Sequence, residues 1–588
     1  MKKDETYKGF ETWFNAFQMT AKMHLHIFMI LGALHVLCTI ALSGFQLREV
    51  YVLLAKYMGG SLTSFAFPDP AILKKIIQFI VKKSLAYFVV CAILWFAYPW
   101  ILGRFKQRAR KQAERKYVSG ARLVEPEDFR RLLQDRGDLP FGSFQLPRKE
   151  EIKHVFVIGR PGTGKTVFLS AILEQLRARH EKIVLYDFKG DYISRFFVPG
   201  KGDILFNPLD QRSTAWNVFA EIKTELDINT VAESLIPPVY TGDAFWNDAG
   251  RAVFAGILHY LWANNLRTNA HIWRAVTAPG QDIRDWIASV PGGQRGLRFV
   301  EDASSKQAMG VFAVLMQYVA AFEYLSRIQG DFTIDKWLAE PGGCIFVTNK
   351  SEVRDTLKPI LSLFIDLLAK KLLSLPDDIN RRVFFVIDEF GTLQRLSAIK
   401  DLLIASRSKG GSAWLGIQDM GQINKLYTQD VADTIVNASG TSVMFAVSDP
   451  KTARYLSDKI GDTEFIEPDQ TVSFGVADNR DGISLMERRK IEKLLKPSDI
   501  MNLPDLNAYV KIPNVVPITR TVLQYKSHPS IAESFVIRPD LVLGAIAAKQ
   551  VAMIDIETQE PERERRDAKE QGHDHDLDDL QQQEEILI

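Results

Sequence analysis

Eight consecutive residues, Gly159-Arg160-Pro161-Gly162-Thr163-Gly164-Lys165-Thr166, carry the types and spacing of a phosphate-binding loop. The glycines let backbone N–H groups turn inward and approach phosphate oxygens that side chains would obstruct, and the N-terminus of a following helix favours negative charge. Gly159, Gly162, Thr163, Gly164, Lys165 and Thr166 are therefore candidate ATP-binding residues. Lys165 is spaced to neutralise the β- and γ-phosphates, and the Thr166 hydroxyl to ligate Mg²⁺.

A second candidate half-site is Val383-Phe384-Phe385-Val386-Ile387-Asp388-Glu389, five apolar residues followed by two carboxylates. Such a run suits a strand buried on both faces of a parallel sheet, and carboxylates at its end are costly to bury unless they work on a ligand. Asp388 is expected in the Mg²⁺ shell, and Glu389, one residue on, is placed to polarise the attacking water.

These groups need strands to aim them. From about Glu151 short apolar runs alternate with helical stretches, the pattern of a parallel sheet with crossover helices. Candidate strands are Val155–Ile158, Ile183–Tyr186, Cys344–Thr348, Val383–Ile387, Ala413–Ile417 and Val443–Val447. The phosphate loop then lies between a strand and the helical stretch that begins Val167-Phe168-Leu169. The interval 218–332 lacks the alternation and reads as an inserted all-α domain. The expected fold is α/β: a RecA-like P-loop NTPase domain with a parallel sheet, residues 117–217 and 333–545, interrupted by that insertion.

At 588 residues the chain exceeds what one hydrophobic core serves, and 46% hydrophobic with 24% charged residues excludes collagen-like and wholly disordered classes. Residues 26–45 and 84–103 are each about twenty residues without formal charge, long enough to cross a bilayer as helices. Residues 1–116 are therefore expected to form a two-helix membrane anchor. Arg104, Lys106, Arg108, Arg110, Lys111, Arg115 and Lys116 follow the second run and assign the remainder to the cytoplasm. Lys74, Lys75, Lys82 and Lys83 between the runs weigh the other way. His24, His26 and His35 fit interfacial or packing roles better than a metal site. Only Cys38, Cys91 and Cys344 occur, in apolar surroundings and without disulfide or zinc spacing.

The formal charge of +2 hides an uneven distribution, because from Glu557 onward twelve acidic residues face four basic ones. Residues 556–588 lack the apolar surface to offset ordering entropy, so a disordered acidic tail is expected. The rest is mildly basic, compatible with nucleic acid but not diagnostic of it. Trp216, Trp246, Trp262 and Trp273 suit core packing better than base stacking, and no sequence-reading DNA motif appears, so any DNA binding should rest on the backbone.

The chain resembles the TraD/TraG-like type IV coupling proteins, hexameric ATPases of conjugation related to FtsK and HerA. The resemblance rests on the two apolar spans, the phosphate loop, Tyr186-Asp187-Phe188-Lys189-Gly190-Asp191, and the helical insertion with Phe245-Trp246-Asn247. Its most specific part runs from Asp388-Glu389-Phe390-Gly391-Thr392-Leu393 through Ala405-Ser406-Arg407-Ser408-Lys409-Gly410-Gly411 to Gly416-Ile417-Gln418-Asp419. It implies that Arg407 reaches a neighbouring subunit's nucleotide and that Gln418 senses the γ-phosphate. A surface arginine and a strand-end glutamine bonded to a loop are the alternatives, and Arg395, Arg407 and Lys409 are equally placed to contact DNA phosphates. It further implies a homohexamer at the inner membrane that takes DNA from a relaxase or relaxosome, in part through the acidic tail, to a type IV secretion channel. Rival readings are a coupling ATPase for protein substrates, an FtsK-like DNA pump, and a non-hydrolysing cargo adaptor.

Overall fold

The computed structural model describes residues 115–133, 137–240, 243–473, 482–513, 515 and 517–542, with isolated positions between 22 and 78. The chain divides into two units, Met1–Tyr117 with Phe465–Lys490 and Val118–Glu464 with Ile491–Ile588. The expected span 84–103 and the tail 556–588 lie outside the described residues, and the span 26–45 has only isolated positions within them. Among the described residues no helix is long and apolar enough to cross a membrane.

The second unit is organised on a ten-stranded sheet. Its strands are β1 (Arg122–Val124), β2 (Val155–Ile158), β3 (Lys182–Asp187), β4 (Ile204–Phe206) and β5 (Cys344–Thr348). The remainder are β6 (Val383–Ile387), β7 (Gly411–Ile417), β8 (Thr441–Met444), β9 (Asn507–Lys511) and β10 (Pro517–Val522). They lie in the order β1-β10-β9-β8-β2-β7-β6-β3-β5-β4. From β8 to β4 all neighbours are parallel, but β9 is antiparallel to both β8 and β10. The sheet is thus mixed, which corrects the expectation of a parallel one. The short connection from Lys511 to Pro517 cannot make the crossover that parallel neighbours require, so it returns as a hairpin.

Every residue of β2, β3, β5, β6, β7 and β8 is buried. Successive side chains point to opposite faces, so Phe156, Ile158, Val184 and Tyr186 join one core while Val155, Val157, Ile183 and Leu185 join the other. The Lys165–Ala178 helix covers the second core through Phe168, Leu169, Ile172 and Leu176. The Arg354–Ser374 helix covers the first through Leu357, Ile360, Leu361 and Phe364.

Between β4 and β5 the chain is mainly helical, and its longest helix, Phe245–Ala263, buries Ala249, Val253, Ile257 and Leu261 at four-residue steps. Trp216 is buried where this segment leaves the sheet, its ring 4.9 Å from Phe364 and 5.4 Å from Phe206. Trp246, Trp262 and Trp273 are partly buried against the same core. Asp366, fully buried, accepts hydrogen bonds from the Ser234 and Ser397 hydroxyls at 2.6 and 2.7 Å and from the Ala398 amide at 2.8 Å. That carboxylate ties the start of the helical segment to the loop beyond β6.

Candidate functional site

β2 delivers the chain into the phosphate loop, and the loop is braced from three directions. The Gly159 amide donates to Ile417 O (3.2 Å) and the Arg160 amide to Ala446 O (2.8 Å), which holds the loop on the ends of β7 and β8. The Leu506 amide donates to Thr163 O at 2.9 Å, and the Thr163 hydroxyl closes the turn on Arg160 O at 2.7 Å. Gly164, at φ 119°, caps the Lys165–Ala178 helix in a conformation that L side chains rarely adopt. The first-turn N–H groups of this helix have no intrahelical acceptor and point to where a phosphate would sit. Space beside Gly162, φ 83°, is open.

The Lys165 ammonium donates to the Gly159 carbonyl. Burial lowers its pKa, while Glu389 and Asp388 act to keep it charged. Those carboxylates end β6, next to β7 and β3 in the sheet. Asp388 Oδ1 and Glu389 Oε1 are both buried and have no hydrogen-bond partner. Glu389 Oε2 accepts from Gln418 Nε2 at 2.9 Å. Burial pushes the Glu389 carboxyl up to about 7, against the opposing pull of Lys165 and the Gln418 bond. Burial also raises the pKa of Asp388. β7 comes close enough for this arrangement because residue 416 is glycine: a Cβ there would lie 2.2 Å from Asp388 O.

Groups that the sequence left without a role complete the site. Asp187, at the end of β3, accepts four backbone N–H bonds, from Gly190, Asp191, Tyr192 and Ile193, at 2.8 to 3.1 Å. It thereby fixes the turn that brings the buried Tyr192 hydroxyl to Asp388 and Thr166. The Tyr186–Asp191 stretch was the visible signal; Tyr192 lies just past it. Phe445 and Leu506 pack beside Gly164, and nothing local in their sequence announces that contact.

Lys165, Thr166, Asp388, Glu389 and Gln418 therefore converge, and Arg407 does not join them within its own chain. Arg407 is exposed in the turn Ser406–Lys409 that precedes β7, near His154 at the opposite end of the strands from the phosphate loop. Lys409, in the same turn, is paired with Asp377 at 2.7 Å.

A Mg²⁺–nucleotide fits the donor set. Asp388 offers an unpartnered buried oxygen, the Tyr192 hydroxyl lies beside both Asp388 and Thr166, and Lys165 supplies compensating charge. Among the described residues no group of three or more His, Cys, Asp or Glu side chains could hold a metal by itself. Mg²⁺ needs no such cage, since it is bound through one or two protein groups, phosphates and waters.

Residues 138–524 match the family model of the type IV secretion-system coupling protein DNA-binding domain. The chain is 30% identical over 491 residues to the coupling protein TraD of Escherichia coli, spanning 80% of this chain and 67% of TraD. It is 22% identical over 438 residues to VirD4 of Agrobacterium fabrum, spanning 67% of this chain and 62% of VirD4. Among solved structures it resembles the bacterial conjugative coupling protein TrwB in its unbound form, with a TM-score of 0.64, 27% identity, and coverage of 72% of this chain and 97% of the other. TrwB in complex with ADP and Mg²⁺ gives a TM-score of 0.63 at 27% identity, covering 72% of this chain and 98% of that one.

Proposed function

The chain belongs to the family of type IV secretion-system coupling proteins, and from that premise we propose that it is an ATPase whose hydrolysis drives DNA toward a secretion channel during conjugation. One observation carries this reading: two strand-end carboxylates, Asp388 and Glu389, each keep a buried oxygen without a partner opposite a phosphate loop. TrwB, the family member solved with ADP and Mg²⁺ and with an ATP analogue, supports ATP and Mg²⁺ as the ligands.

The chemistry follows from where the groups sit. The helix N-terminus and Lys165 cradle the β- and γ-phosphates, so charge developing there in the transition state meets fixed dipoles and a cation. Thr166 and Asp388 would hold Mg²⁺, which when bound would offset the charge of the phosphates. Glu389, with a pKa of about 7, is matched to accept a proton from the attacking water near neutral pH. Gln418 orients that carboxylate through Oε2 and leaves Oε1 for the water. Tyr192 and Phe445 are both buried beside this site, Tyr192 against Asp388 and Phe445 against Gly164.

Arg407 lies outside this constellation within its chain, which supports its acting on a neighbouring subunit's nucleotide in a homohexameric ring. The ring would stand at the cytoplasmic face of the bacterial inner membrane, anchored by the spans 26–45 and 84–103. Relaxase-bound DNA would be received in part through the acidic tail, 556–588. The decisive experiment changes Lys165 or Glu389 to Ala in the full-length protein and measures DNA-stimulated ATP hydrolysis, membrane retention and conjugative transfer. Loss of hydrolysis and transfer with retention intact is expected; undiminished transfer by either variant overturns the motor reading.

A further inference from the structure

A second cleft, largely apolar but lined by three cations, opens near the same end of the sheet and is built from other elements. Gln394 and Arg395, beyond the Phe390–Thr392 turn, form its base. Pro237–Tyr240 and Tyr318 line one side, Lys358, Lys425 and Tyr427 the other, around a cavity of about 200 Å³. Three cations line this space and no carboxylate does. Outside the lining, Asp355 pairs with Arg354 at 3.4 Å and also acts on Lys358, while Asp366 is enclosed by two hydroxyls, an amide and Lys370.

Arg395 is held in place with capacity to spare. Its Nη1 donates to Pro238 O at 3.2 Å and its Nη2 to the Tyr240 hydroxyl at 3.1 Å, while its buried Nε has no acceptor. The guanidinium lies 4.0 Å from the centroid of the Tyr240 ring, which is 59% exposed. Lys358 is half-buried, and its pKa is lowered by that burial and by the like charge of Arg354, against the opposing pull of Asp355. Lys358 and Arg395 are partly buried cations in a cleft that no carboxylate lines, and an anion carrying several oxygens would offset that burial, with the exposed Lys425 adding charge.

We propose that this cleft grips a phosphodiester of the DNA backbone, with Arg395, Lys358 and Lys425 on the phosphate and Tyr240 offering its ring to an adjacent base. The inference rests on the reading of the chain as a DNA motor and locates part of the DNA path on named residues. The volume favours this ligand, being small against the roughly 300–1,000 Å³ of an enclosed small-molecule site. It suits one phosphate whose ester substituents run out along the open side. Cations interleaved with an exposed aromatic ring form the usual platform for a strand held without regard to sequence.

The cleft is wired to the hydrolytic carboxylate. Tyr427 stacks on Phe390, the neighbour of Glu389, with centroids 5.8 Å apart, and its hydroxyl accepts from the Leu396 amide at 3.0 Å. Gln418, bonded to Glu389, leads directly into the Met420–Leu426 helix that carries Lys425. A strand seated in the cleft thus bears on both segments that position Glu389.

The test uses the full-length protein, a Lys358→Ala/Lys425→Ala double variant, a charge-preserving Lys358→Arg/Lys425→Arg variant, and a labelled oligodeoxynucleotide titrated over a range of salt. The alanine pair should bind DNA about tenfold more weakly, and its dependence of log K on log salt should be shallower by about two. The arginine pair should restore both, and ATP turnover without DNA should be unchanged throughout. Wild-type protein that binds no DNA overturns this inference together with the motor reading. Wild-type binding with an unaltered alanine pair overturns this inference alone. Inorganic phosphate tested as a thermal stabiliser separates the remaining source: stabilisation lost in the alanine pair, with DNA affinity intact, assigns the cleft to free phosphate and also overturns the proposal.

Discussion

Gln418 Nε2 donates a 2.9 Å hydrogen bond to Glu389 Oε2 across the ends of adjacent parallel strands. The bond favours the ionised carboxylate and so works against the burial that pushes Glu389 up to about 7. Gln418→Ala removes it, and the carboxyl then ionises at higher pH. A hydrogen bond to a charged group is worth about 1.5–3 kcal/mol, so the shift should be about one pH unit or more. The acid limb of kcat/KM for ATP, which reports the free enzyme, should move up accordingly, with activity at pH 7 down about fivefold and largely recovered near pH 9. A variant whose loss is the same at every pH would show that Gln418 acts on something other than the proton affinity of Glu389.

Glu389 also sets a stability cost with a definite sign. Folding raises its pKa from 4.5 to about 7, so the folded chain holds the extra proton across that window and stability falls as pH rises through it. Glu389→Gln keeps the shape and can still accept from Gln418 while removing the titration. Thermal unfolding should show the variant close to wild type near pH 5 and more stable above pH 7, by about 2–3 kcal/mol. ATP binding should persist while hydrolysis is lost. An unchanged difference between the two pH values would mean that the carboxylate is not strained by its burial.

The phosphate loop and the Asp388-Glu389 pair were legible because each is encoded locally, one as a contiguous motif and the other as five apolar residues ending in charge. Their meeting is a matter of sheet order, β2-β7-β6, which no local pattern states. The hairpin of β9 and β10 escaped notice because Asn507–Lys511 and Pro517–Val522 mix polar with apolar residues, unlike the apolar runs of strands such as Val155–Ile158 and Val383–Ile387. Leu506 was hidden for the same reason, since its brace on Thr163 spans more than three hundred residues of chain. Gly416 appeared only as part of a family-like stretch; its reason, the close pass of Asp388 O, is three-dimensional.

His154 gives the opposite pH response. Its Nδ1 accepts the Ala413 amide at 2.9 Å, and burial, aided by nearby Arg407, lowers its pKa from 6.5 to about 4 despite a bond to the Leu403 backbone. The folded state keeps this ring neutral, so its contribution is present above pH 6.5 and is lost as pH falls toward 4. The residue sits at φ 61°, a conformation asparagine tolerates, and an asparagine oxygen can accept the same amide. His154→Asn should therefore flatten the acid-side loss of stability by about 2–3 kcal/mol between pH 6.5 and 4, read from urea midpoints. An equally steep decline in the variant would place the acid sensitivity elsewhere.

Arg407 offers the sharpest test of assembly, because it is exposed and stands at the far end of the strands from Lys165 and Glu389 in its own chain. A role on the transferring phosphoryl group then requires a second subunit. Arg407→Ala should lower ATP turnover on the order of 10³-fold while each subunit still binds nucleotide, since the loop, Asp388 and Glu389 are untouched. Glu389→Ala subunits carry an intact arginine but a dead site. Mixing the two variants creates interfaces that pair an intact site with an intact arginine, and turnover should rise well above that of either alone. If the mixture stays at the level of the single variants although mixed rings form, the arginine does not act across the interface. Its charge would then be left to serve the surface on which it is displayed.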